Sequence, residues 1–137
     1  MRLVTFLSII FVMLSCANTK NVAIKSSILN GTWVPLKQEF AGKSLPAAAF
    51  EKQTLLVNDS AYTFTAESVD KGVVKYSGNT MDIYGKEGIN SGKHFTALYK
   101  FENGQLTICY NLQGDIYPET FDTKGKAMYF LSVFRKE

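Results

Sequence analysis

Histidine and tryptophan each occur once in this chain of 137 residues, cysteine twice and proline three times, and each scarcity removes a class of chemistry or architecture. A single histidine, His94, leaves no set of imidazoles for a multi-histidine metal centre, and a Ser-His-Asp triad would have to be assembled on it alone. At the edge of a loop, where a strand is expected to begin, His94 is read as exposed or hydrogen bonded rather than as a general base. Strong charge of one sign is lacking too. Fifteen Lys and Arg stand against twelve Asp and Glu, interspersed rather than clustered, so no basic face is available for nucleic acid or for an anionic bilayer surface.

Phosphate-binding loops fail on inspection. Gly92-Lys93 is followed by His94 where Ser or Thr is required, and Glu87 stands where the first glycine must be; Gly42-Lys43-Ser44 has Lys37 in that place. Acidic residues are spread along the chain with no pair suited to glycoside chemistry. These absences argue against an enzyme, and neither a cofactor nor a metal is expected.

Long apolar runs are absent with one exception. After Met1-Arg2, a minimal basic segment, Leu3 to Leu14 is almost continuously apolar and ends at Ser15-Cys16. Spanning a bilayer takes about 20 apolar residues, so this shorter run reads as an export signal, residues 1–15. The segment Val12-Met13-Leu14-Ser15-Cys16 resembles a bacterial lipobox, with Met13 where Leu is typical and Leu14 where a smaller residue is usual. That resemblance implies a diacylglyceryl thioether on Cys16 and cleavage before it. Acyl chains would then hold the protein at a membrane, each buried methylene contributing about 0.8 kcal/mol. Residues 16–27 form a polar tether with no acid directly after the cysteine, which by the sorting rules of enteric bacteria permits the outer membrane, facing the periplasm. With Cys16 lipidated, Cys109 has no partner in the chain. It reads as a small buried hydrophobe, because no His, Lys or Arg adjoins it to stabilise a thiolate.

Aromatic residues make up 13% of the chain, mostly Phe and Tyr, and such side chains suit pleated, half-buried surfaces. Short apolar-rich runs alternate with turn signals at the close spacing of a sandwich or barrel. Strands are expected near Gly31–Gln38, Thr54–Val57, Ala61–Thr65, Gly72–Ser77, Thr80–Tyr84, His94–Glu102, Gln105–Asn111 and Ala127–Lys136, with a further short strand at Thr120–Phe121. Asn58-Asp59-Ser60, Ser77-Gly78-Asn79 and Glu102-Asn103-Gly104 connect three of these pairs as hairpins. Only Ala47 to Lys52, after Leu45-Pro46, reads as a short helix. The last strand is apolar on both faces and therefore belongs in a central or doubly covered position. The expectation is all-β: a single antiparallel up-and-down barrel of about eight strands with one short helix, closed so that no edge is exposed.

Several segments together resemble a lipocalin-like family of small envelope proteins first noted in planctomycetes: Leu29-Asn30-Gly31-Thr32-Trp33, Gly42-Lys43-Ser44-Leu45-Pro46, Asp70-Lys71-Gly72, Leu106-Thr107-Ile108-Cys109-Tyr110, Tyr117-Pro118-Glu119-Thr120-Phe121 and Phe134-Arg135-Lys136-Glu137. The resemblance covers residues 28–137 and implies a fold more than an activity. Tyr117 replaces the arginine usual before the proline of the late loop. Gly31-x-Trp33 with Arg135 also resembles the signature of lipocalins and fatty-acid-binding proteins, which implies that Trp33 closes one barrel end with Arg135 lying across the indole.

Two functions fit this frame. In the first, the barrel binds a small hydrophobic or amphipathic ligand, lined by Met81, Ile83, Phe95, Tyr99, Phe101, Ile108 and Tyr110. The same seven residues would serve equally as the packing of a filled core. In the second, a filled barrel acts as an envelope adapter or inhibitor through its long loops, Tyr84–Lys93 and Gln113–Lys126. Under either reading the protein is expected to be a monomer tethered to a membrane through Cys16.

Overall fold

The hairpin signals do what their residue types allow. In the computed structural model, which describes residues 27–137, Asn103 and Gly104 both adopt positive φ, 52° and 75°, as a type I′ turn demands. They join the strands so that Glu102 faces Gln105 across the turn. Gly78 (φ 60°) starts the turn that sets Ser77 against Thr80, and Asp59 (φ 52°) the turn that sets Asn58 against Ala61. Residues 1–26, which include Cys16, the expected export signal and most of the expected tether, lie outside the described residues.

Among the described residues nine strands result: β1 Gly31–Phe40, β2 Lys43–Ser44, β3 Thr54–Asn58, β4 Ala61–Thr65, β5 Val69–Ser77, β6 Thr80–Glu87, β7 His94–Glu102, β8 Gln105–Asn111 and β9 Tyr129–Lys136. Each of β3 to β9 pairs antiparallel with its sequence neighbour, β3 pairs with β1, and β9 returns to β1. Eight strands therefore close a meandering antiparallel barrel, and the two-residue β2 is added to β1 near one rim. The barrel closes as the expected fold requires.

The closing seam carries an irregularity. Trp33, Val34 and Pro35 face Lys136, Arg135 and Phe134, after which Leu36 is skipped and Lys37 faces Val133. Pro35 has no N–H to donate to the ladder, and a bulge is where a strand tolerates that loss. The bulge also resets the alternation of β1, so that Trp33, Pro35 and then Gln38 are buried while Leu36 and Lys37 face solvent.

One expectation is corrected, one is narrowed and one hairpin is added. The helix over Ala47 to Lys52 is a single 3-10 turn at Ala47–Ala49 whose N-cap, Pro46, supplies no side-chain bond; it ends as Phe50 turns inward to burial. Thr120–Phe121 is not a strand. The β1–β2 hairpin, not foreseen, turns through Ala41 and Gly42 at φ 49° and 81°. Strand limits also differ: β5 starts at Val69, β6 runs on to Glu87 and β9 starts at Tyr129.

Residues 112–128 form an irregular strap over the outer face of β7, β8 and β9. The side-chain amide of Asn111 donates to Asp115 Oδ1 (2.7 Å) and to the carbonyl of Ile116 (3.0 Å), which also accepts from the hydroxyl of Thr96. Thr123 Oγ1 accepts from the backbone N–H of Gly42 (3.0 Å), and the ammonium of Lys100 lies 4.8 Å from the ring centroid of Phe121. Beneath the strap, Leu98, Cys109 and Leu131 face one another in register and are buried. The two-sided apolar character of β9 follows: one face fills the barrel and the other is covered by the strap.

Candidate ligand cavity

One end of the barrel is closed by Trp33, which is 1% exposed. Its indole N–H donates to the carbonyl of Leu29 at 2.8 Å, and the ring of Phe101 meets it edge-on with centroids 6.0 Å apart. Gly31 holds φ at +128°, and a Cβ there would stand 2.6 Å from Cε of Lys136. Only glycine fits that site without displacing the lysine stem. The cation over the indole is Lys136, its Nζ 5.4 Å from the ring centroid. Arg135 does not lie across Trp33: it is exposed, and its guanidinium reaches only the carbonyl of Lys136, at 3.4 Å. The reason is the two-residue period of a strand, which sends Phe134 and Lys136 toward the barrel side and Arg135 away from it.

Beyond this floor the interior is not filled. A cavity of about 170 Å³ is walled almost entirely by apolar side chains from β1 and β3 to β9, with Leu29 at the floor end. Of the expected lining, Met81, Ile83, Phe95, Ile108 and Tyr110 form its wall. Tyr99 and Phe101 do not. They share the inward face of β7 but stand two and three steps beyond Phe95 toward the floor, where both border an open groove with Ile28 and Phe121. Tyr99 donates its hydroxyl to the carbonyl of Gly78 at 3.1 Å. Further wall residues, among them Leu55, Val57, Tyr62, Phe64, Val74 and Tyr76, lie on β3 to β5. The alternation in Leu55-Leu56-Val57, Tyr62-Thr63-Phe64 and Val74-Lys75-Tyr76 carried the signal that would have found them.

Small inward residues leave the void open. Ala97 stands in register between Met81 and Tyr110. Gly72 takes the ring of Tyr62 at its face, where a Cβ would come within 2.6 Å of Cε1. At Gly85 a Cβ would collide with the carbonyl of Asn90, 1.8 Å away, so the β6–β7 loop can fold down there and bring Asn90 to the cavity wall.

The end opposite Trp33 is polar. Gln38, 2% exposed, donates to Oε1 of Gln53 at 2.7 Å, and Gln53 in turn donates to the carbonyl of Ala49. This ties the 3-10 segment to the barrel rim. Buried Asp70 accepts the backbone N–H of Asn90 on Oδ1 (3.1 Å) and its side-chain amide on Oδ2 (3.0 Å).

A second polar group sits on the outer face of β6 and β7. His94 Nε2 donates to Oδ1 of Asp82 at 2.7 Å and its ring stacks on Tyr84 with centroids 4.6 Å apart. Tyr117 donates its hydroxyl to the other oxygen of Asp82 at 2.6 Å, a bond that raises the Tyr117 phenol above its ordinary range. His94 is thus hydrogen bonded, as expected, and the hydroxyl of Tyr117 has a structural partner in Asp82. Among the described residues no cluster of His, Cys, Asp or Glu is suited to hold a metal. Cys109 is 0% exposed, and burial pushes its thiol up to about 11.

Fold and cavity together define a closed up-and-down β-barrel with one plugged end and a small apolar chamber. Comparison with known protein families, with curated proteins and with solved structures gives no match for the chain.

Proposed function

We propose that this protein is a lipocalin-like binding protein of the bacterial envelope, tethered to a membrane through lipid on Cys16, that holds a small hydrophobic or amphipathic ligand inside its barrel. The observation that carries this reading is the 170 Å³ apolar cavity. Empty apolar space of about 150 Å³ is enough to admit a benzene-sized guest, whereas drug-sized ligands occupy roughly 300–1,000 Å³. The ligand is accordingly compact. The barrel architecture, the plugged floor and the resemblance to lipocalin-like envelope proteins support the same reading, and the lack of a second candidate chemistry in the sequence favours binding over catalysis.

The test is mass spectrometry of the natively purified full chain, followed by thermal unfolding with added toluene. A ligand present at 100 times its dissociation constant stabilises the folded state by about 2.7 kcal/mol. Absence of any co-purifying small molecule, together with an unfolding temperature indifferent to toluene, would refute the proposal. The tether is tested separately: Cys16→Ser should move the protein from the membrane to the soluble fraction.

One observation favours the adapter reading. Ile89 and Ile116, on the two long loops at the end opposite Trp33, are 72% and 60% exposed. If the cavity proves empty under all conditions, these two residues are the place to look for a protein partner.

A further inference from the structure

The cavity wall is unusual in which polar groups it includes. Asp70 is its one ionisable carboxylate, and no Lys, Arg or His lines it. Both Asp70 oxygens are occupied by Asn90. The other polar side chains are the amides of Gln38, whose nitrogen donates to Gln53 Oε1 at 2.7 Å, and of Asn90, and three phenol hydroxyls. Tyr62, Tyr76 and Tyr110 all line the cavity, and none of the three hydroxyls has a hydrogen-bond partner among the described residues. Among the described residues no fully buried side-chain nitrogen or oxygen lacks a partner, so these hydroxyls are not sealed into protein, and all three tyrosines line the chamber.

Their positions follow from register and packing. Tyr110 stands beside Phe130, with ring centroids 5.8 Å apart, and across Ala97 from Met81. Met81 in turn pairs with Tyr76 on β5, and Tyr76 rests edge-on against Tyr99 at 5.9 Å. Tyr62 lies over Gly72. Burial raises all three phenols above their ordinary range: Tyr76 is pushed up to about 12, and the nearness of Tyr62 and Tyr76 adds to the rise of Tyr110. Each hydroxyl is therefore neutral at physiological pH and able both to donate and to accept.

We infer that the ligand is an uncharged compact molecule, an aromatic or short aliphatic group carrying one hydrogen-bonding function such as an amide, carbonyl or hydroxyl, with its polar atom held by the hydroxyls of Tyr62, Tyr76 and Tyr110. This rests on the binding role proposed above and narrows it. A carboxylate would have to shed its water in a chamber with no counter-cation, where the fixed charge of Asp70 repels it. A plain hydrocarbon would leave three hydroxyls without partners. A neutral ligand with an acceptor meets both conditions.

The experiment uses three probes of one shape on the full chain at pH 7, read by titration of amide chemical shifts: toluene, benzamide and benzoate. Benzamide and benzoate have nearly the same size and differ in charge. Benzamide is expected to bind at least 30-fold more tightly than benzoate. Tyr110→Phe, which keeps the ring and removes the hydroxyl, is expected to weaken benzamide about 5- to 10-fold and to leave toluene within about 2-fold. Tyr76→Phe serves as the parallel variant should Tyr110→Phe fail to fold. Benzoate bound as tightly as benzamide overturns the inference and leaves the binding role standing. So does toluene bound with neither polar probe bound, or benzamide affinity indifferent to both substitutions. Failure of all three probes overturns the inference and the binding role together.

Discussion

Replacing Trp33 by Phe tests the floor of the barrel, and the structure gives the size of the effect. The indole N–H donates to the buried carbonyl of Leu29 at 2.8 Å; removing the donor leaves that acceptor unpaired, which costs about 1–3 kcal/mol. The smaller ring gives up apolar contact and opens space under Leu29, together costing about 1–2 kcal/mol. The contact with Lys136, 5.4 Å from the ring centroid, is partly kept by the phenyl face. The sum, about 2–5 kcal/mol, is a large share of the roughly 5–15 kcal/mol that holds a domain folded. Urea unfolding followed by far-ultraviolet circular dichroism should show the midpoint falling by about 1–2.5 M for a slope of about 2 kcal/mol per molar. Two companion variants locate the cation. Lys136→Met should cost about 0.5–1 kcal/mol, since the ammonium over the indole is solvent-exposed, and Arg135→Met should lie within about 0.5 kcal/mol of the parent. A Trp33→Phe midpoint within 0.5 M of the parent, or an Arg135 variant weaker than the Lys136 variant, would refute this account of the closed end.

Cys109 should resist iodoacetamide at pH 8 in the native protein and react fully in 6 M guanidinium, since the thiol is inaccessible and pushed up to about 11; rapid native labelling would show that the strap opens. Stability should fall as pH rises from 10 to 12. The phenol of Tyr76 ionises near 10 when unfolded and is pushed up to about 12 when folded. Below pH 10 both states keep the proton and its contribution is fully present; between the two values the unfolded chain loses its proton first and the contribution is lost. Urea titrations at pH 9 and pH 11.5 measure the fall, and Tyr76→Phe should reduce it; an unchanged difference would assign the effect elsewhere.

Much of the architecture was legible because a barrel meander is a local object. Asn103, Gly104 and Gly78 adopt positive φ, which Asn and Gly do more readily than other residues, and alternation in Tyr99-Lys100-Phe101 or Met81-Asp82-Ile83 assigns faces without knowledge of the partner strand. Turns whose residues argue against them were missed. Ala41 sits at φ 49°, a conformation alanine disfavours, and the turn is held by the bond from the N–H of Gly42 to Thr123, 81 residues away in sequence. The helix expected from three alanines was cut to one 3-10 turn as Phe50 buried its ring.

The sequence by itself determined the strands, their hairpins, the closed all-β class and which face of each strand is apolar. These depend on turn chemistry and on a period of two, both local. The tertiary structure alone decided that the bulge at Leu36 turns Gln38 inward, that residues 112–128 strap the outside, and that Tyr99 and Phe101 fall at the floor while Tyr62, Tyr76 and Tyr110 line the chamber. The last of these depends on height along the barrel axis. Height is set by the register and stagger of all eight strands at once, and no single strand encodes it.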